Sequence, residues 1–131
     1  AGADRLVQAL RPFCQLIILS DTYYEFATPL MRQLGWPTLF CNSLVLNDKQ
    51  EIVNYRLRQK DGKKKAVEAF KMLNFDVVAV GDSYNDVTML KQADLGILFN
   101  PSSNVREEFP QFPVTTDYDQ IEQHVRAFAA Q

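Results

Sequence analysis

The sequence predicts an α/β fold built on a doubly wound parallel sheet, and three observations predict it. Leu16-Ile17-Ile18-Leu19 and Val77-Val78-Ala79-Val80 are continuous apolar runs, as expected of strands buried on both faces of a parallel sheet. Stretches with apolar residues at three- and four-residue steps alternate with such runs, which is the helical signature. The repeated β-then-α order is that of a sheet flanked by helices. In open sheets of this kind the crossovers are right-handed, and ligands bind at the carboxyl ends of the strands.

Residues 3–11 place Leu6, Val7 and Leu10 at helical spacing until Pro12 stops them. The run at 16–19 ends in Ser20-Asp21. Thr22 and Glu25 then have the spacing of a capping box that opens a helix. Tyr23, Phe26, Ala27, Leu30, Met31 and Leu34 give that helix one apolar stripe, with Pro29 inside it and Gly35 as its stop. Residues 38–41 read as the next strand. Residues 44–58, with a polar turn at 47–50, read as a β-hairpin beside the main sheet. A helix is predicted over 62–73, a strand over 77–80, a helix over 85–92 and a strand over 95–99. A short turn or helix covers 102–108, a loop 109–113 and an edge strand lies near Val114. Asp117 and Gln120 open a final helix.

The chain has 131 residues and a formal net charge of −2. That length fits one domain over 1–131, long enough to bury a core without metal or disulfide staples. The charge gives no reason to expect nucleic acid or a membrane surface as partner. Cys14 and Cys41 stand in apolar surroundings and read as reduced thiols. No signal-peptide pattern and no long apolar run is visible, so a cytoplasmic location is expected. The opening Ala1-Gly2-Ala3-Asp4, without an initiator Met, reads as a processed or truncated end.

The chemistry concentrates after the apolar strands. Gly81-Asp82-Ser83-Tyr84-Asn85-Asp86 puts two carboxylates and an amide at a strand-to-helix turn. Asp82 and Asp86 are hard oxygen donors suited to Mg²⁺, which takes one or two carboxylates plus waters and substrate phosphate. Asp82, like Asp21 after the first strand, also reads as an ordinary helix N-cap. Two such acids side by side repel unless a cation answers them. Asp21 and Ser20 occupy the matching position after the first strand, where a hydroxyl and a helix N-terminus suit a phosphate. A lysine run usually marks a solvated helix face. Lys63 is the exception to weigh, because a cation in a first helical turn opposes the helix dipole, a cost that a bound ligand would offset. Lys60 is the reserve candidate. His124 reads as a surface residue, and Trp36, Tyr23 and Tyr24 as packing residues.

The order strand-Ser-Asp, Lys at a helix start, strand-Gly-Asp-x-x-Asn-Asp resembles motifs two to four of the haloacid dehalogenase superfamily. The likeness is to its phosphoserine phosphatase branch. It is carried by residues 18–26, 29–35, 57–61, 81–86, 96–99 and 108–113, and so spans essentially the whole chain. The resemblance implies a Mg²⁺-dependent enzyme of amino-acid biosynthesis. It would take the phosphoryl group from phosphoserine through an aspartyl-phosphate and pass it to water or to homoserine. It implies that Ser20 and Asp21 contact the phosphoryl group or its neighbourhood. It also implies that Lys63 is catalytic and binds substrate, that Asn85 touches substrate, and that Asp82 and Asp86 serve the metal.

The family's first motif, an Asp-x-Asp or Asp-x-Glu after a first strand, has no counterpart in 1–131, nor does the cap. The resemblance sets that strand between the runs at 16–19 and 77–80. The chain alone is therefore expected to be inactive, and to self-associate, pair with a partner fragment or belong to a longer parent. Two other readings stand beside this one. One is a receiver-like phosphoacceptor domain using Asp21 as acceptor and Asp82 as metal ligand. The other is a non-catalytic module on the same fold.

Overall fold

The structure, a computed structural model, describes residues 2–131. It contains two compact units, one ending at Gly62 and one over Lys63–Gln131, and its strands form two three-stranded sheets.

The first unit runs α1 (Ala3–Leu10), β1 (Ile17–Tyr23), α2 (Tyr24–Gln33), β2 (Thr38–Leu46) and β3 (Ile52–Arg56), with sheet order β1-β2-β3. β1 pairs parallel with β2, and β3 antiparallel. Val7, Leu10, Ala27, Met31 and Cys41 form its buried core. Pro29 stays inside α2 without ending it, although it forfeits one backbone hydrogen bond. Gly35 stops the helix at φ +78°, a conformation that costs glycine little. The expected hairpin forms, but its first arm and the strand at 38–41 are one continuous β2. Asn47 builds the turn by accepting from the N–H groups of Lys49 and Glu51, both at 2.9 Å.

An expectation fails at the start of α2. No capping box forms between Thr22 and Glu25. β1 extends through Tyr23, α2 starts at Tyr24, and no side chain caps it. Both Glu25 carboxylate oxygens instead accept from the Leu44 N–H at 3.1 Å. β1 ends opposite Asn42, and a ladder donor beyond that point needs another acceptor. Packing also differs in part. Tyr24 donates to the Leu39 carbonyl at 3.0 Å and Tyr23 meets Phe26 edge to face, whereas Trp36 stays exposed beside the Arg32 guanidinium. Cys14 and Cys41 are free thiols.

The second unit comprises α3 (Gly62–Met72), β4 (Val78–Gly81), a 3-10 turn (Tyr84–Asp86) and α4 (Val87–Gln92). β5 (Leu95–Phe99), α5 (Ser103–Glu108), β6 (Val114–Thr115) and α6 (Tyr118–Ala129) follow. The sheet order is β4-β5-β6, all parallel. Leu90, Ile97, Leu98, Val67 and Val105 are fully buried. Gly96 lets β5 press against α4, since a Cβ there would sit 2.6 Å from the Leu90 carbonyl oxygen. Thr115 is fully buried and donates its hydroxyl to the Leu98 carbonyl at 2.9 Å, so its polar group is satisfied. Asp117 caps α6 by accepting from the Gln120 N–H at 2.9 Å. His124 is half-buried on α6 rather than fully exposed. Among the described residues no helix is long and apolar enough to cross a membrane.

Candidate active site

The motif at 81–86 lies in the second unit, and one side chain organises it. β4 ends at Gly81 and the chain turns through Asp82 and Ser83 into the 3-10 turn. Asp86, only 6% exposed, folds back under that turn. Its Oδ2 accepts from the Asp82 N–H at 2.9 Å, the Ser83 N–H at 3.3 Å and the Ser83 hydroxyl at 3.4 Å. Its Oδ1 accepts from Lys63 Nζ at 2.8 Å. Gly81 leaves the space this needs: a Cβ there would lie 2.6 Å from the Asp86 Cγ.

Burial pushes the Asp86 carboxyl pKa up. The Lys63 hydrogen bond, the Asp82 N–H, the Lys63 charge and the Ser83 N–H outweigh it, and the net shift is downward. Asp86 is therefore held ionised. Lys63 stands in the first turn of α3 against the helix dipole. Its cost is offset within the protein by this carboxylate, where the sequence suggested a bound ligand. The two acids differ in setting: Asp86 is buried and caged, whereas Asp82 is exposed.

Asp82 and Asn85 are the complement of that cage. Both are exposed, and neither side chain makes a hydrogen bond among the described residues. A carboxylate and an amide are thus presented outward by a turn that is rigid from beneath. Among the described residues no group of three His, Cys, Asp or Glu side chains is set to hold a metal ion. The donor set here is the smaller one that suits Mg²⁺, whose other positions go to water and phosphate. The remaining lysines of the run are surface groups. Lys64 makes a 3.8 Å pair with Glu68 one turn along, and Lys65 and Lys60 are exposed.

Ser20 and Asp21 belong to the first unit. They are not at a helix N-terminus, as the sequence suggested, but inside β1 at a bulge. The register passes from Leu19↔Phe40 to Tyr23↔Asn42, so β1 carries two more residues than β2 across that interval. The Ser20 hydroxyl accepts from the Thr22 N–H at 3.2 Å. The Asp21 carbonyl accepts from Asn42 Nδ2 at 3.1 Å, and Asn42 Oδ1 takes the Arg58 N–H at 2.9 Å. Sequence reasoning missed Asn42. Its signal was a lone amide in the run Leu39-Phe40-Cys41-Asn42, where a buried polar group needs partners.

A family model described as haloacid dehalogenase-like hydrolase matches residues 1–94. The chain is 53% identical over 120 residues to a phosphoserine phosphatase of Pseudomonas syringae pv. tomato, covering 92% of this chain and 51% of that protein. It is 54% identical to the phosphoserine phosphatase ThrH of Pseudomonas aeruginosa, covering 92% of this chain and 58% of that protein. The chain thus spans little more than half the length of these relatives. Among solved structures, a substrate-bound phosphoserine phosphatase complex superposes with a TM-score of 0.76 at 23% identity, over 94% of this chain and 62% of that one. A phospho-aspartyl intermediate analogue of phosphoserine phosphatase gives 0.75 at 22%, also over 94% and 62%. At that identity the structures speak for the fold, and the sequence matches settle the kinship: the chain belongs to the haloacid dehalogenase-like hydrolases.

Proposed function

We propose that this chain carries the lysine and metal-side half of a Mg²⁺-dependent phosphoserine phosphatase. The observation that carries the reading is the division of labour at 82–86. Asp86 is buried and fixes Lys63 and the backbone, while Asp82 and Asn85 are exposed and unengaged. The named relatives supply the substrate class.

In this reading Asp82 gives a carboxylate oxygen to Mg²⁺, with Asp86 behind it. Mg²⁺, when bound, neutralises charge on the phosphoryl oxygens. Asn85 hydrogen-bonds the substrate beside it. Lys63, oriented by Asp86, stabilises the charge that develops on the phosphoryl group during transfer. The family reaction passes the phosphoryl group to an aspartate carboxylate, and then to water or to an alcohol such as homoserine. No acid within 1–131 is assigned that nucleophilic role, so the chain alone turns over nothing.

The test has two arms. Titration of the chain with Mg²⁺, followed by amide shifts, is expected to give weak binding centred on Asp82 and lost in Asp82→Asn. Absence of binding overturns the metal-side assignment. Incubation with phosphoserine and Mg²⁺ is expected to release no inorganic phosphate. Release would place a nucleophile inside this chain.

A further inference from the structure

The turn that carries Asp82 and Asn85 makes a second set of contacts, with the end of α5. The Tyr84 hydroxyl donates to Glu108 Oε2 at 2.6 Å. Glu108 is the last residue of α5. The Tyr84 ring also meets Phe109, the next residue, edge to face with centroids 6.0 Å apart. Phe109 in turn carries Lys91 over its ring at 5.2 Å and lies 6.3 Å from the Phe112 ring. Lys91 is in the last turn of α4, the helix that continues directly from the 3-10 turn. The end of α5 therefore grips both the turn and the helix leaving it.

Tyr84 is half exposed, and burial alone does not account for a tyrosine there. What distinguishes it is a short hydrogen bond to a charged acceptor, stronger than a neutral pair, plus an aromatic contact. Asn85 follows it directly and Asp82 stands two residues before it. We infer that Glu108 and Tyr84 are positioning residues: through their hydrogen bond they hold the Tyr84–Asp86 turn so that Asp82 and Asn85 are pre-set for ligand. The inference rests on the functional reading above and adds two residues to it. Preorganisation of this kind acts by lowering the ordering cost at binding.

The experiment measures Mg²⁺ affinity of the 131-residue chain and its variants by calorimetry, alongside thermal midpoints. Tyr84→Phe keeps the ring on Phe109 and loses only the hydroxyl, and Glu108→Ala removes the acceptor. Each is expected to weaken Mg²⁺ binding about twofold to fivefold, within the range of one net hydrogen bond. The double variant should lose no more than either single one, as for two ends of one interaction. Glu108→Gln, which keeps an oxygen acceptor, should restore most of the affinity. Glu107→Ala, one residue away and exposed, should match the parent. Unchanged affinity in Tyr84→Phe, additive losses, or no rescue by Glu108→Gln would overturn the inference while leaving Mg²⁺ binding intact. A parent chain that binds no Mg²⁺ overturns the functional reading and this inference with it.

Discussion

Lys63 Nζ lies 2.8 Å from Asp86 Oδ1, and the other oxygen of that carboxylate takes the Asp82 amide at 2.9 Å. One buried side chain thereby fastens the start of α3 to the turn after β4. A charge-assisted pair of this kind is strong only while both partners remain.

Lys63→Met should therefore destabilise the protein by about 3 kcal/mol, because it leaves an unanswered buried carboxylate. Adding Asp86→Asn should recover part of that loss, since the neutral amide needs no cation. Urea denaturation of the two single variants and the double variant gives the coupling directly. Additive losses would show that the pair contributes nothing jointly.

Acid should release the same cage. The Asp86 carboxyl is held below the ordinary aspartate value of 3.8, so the unfolded chain binds its proton first as pH falls. The stability it contributes is fully present above that value and is lost as pH drops through the lowered folded one. Between pH 6 and pH 3, Asp86→Asn should show a flatter stability–pH curve than the parent in denaturant titrations. Parallel curves would contradict the downward shift.

Gly81→Ala tests the space beneath the turn. The new methyl would meet Asp86 Cγ at 2.6 Å and Oδ2 at 2.7 Å, and forced repacking of this kind costs about 1–3 kcal/mol. The variant should lose stability and weaken Mg²⁺ binding together, because the displaced carboxylate no longer holds the Asp82 amide. Thermal unfolding and calorimetry on one preparation separate the two effects.

In the first unit, Asn42→Ala should cost about 1–3 kcal/mol, the penalty for stranding part-buried polar groups. It abandons the Asp21 carbonyl and the Arg58 N–H at once. Amide exchange should rise at Arg58, whose donor is freed. Protection unchanged at Arg58 would mean water replaces the amide without loss.

The periodicities were enough to place most elements, because strands buried on both faces and helices with one apolar stripe leave direct traces in the order of residues. β5 at Leu95–Phe99 and the loop before Val114 fall where the pattern puts them. The run at 81–86 stood out in the sequence because it gathers two carboxylates and an amide at a strand-to-helix turn.

Sequence by itself determined the α/β order, the motif and the family kinship, all of which are local along the chain. Tertiary structure alone decided which acid is caged and which is free. It set Lys63 against Asp86 across 23 positions, turned Glu25 from a helix cap into a partner for Leu44, and gave Tyr84 its acceptor on α5. A hydrogen bond is fixed by where folding brings two groups in space, and neither residue's neighbours in the chain encode that distance.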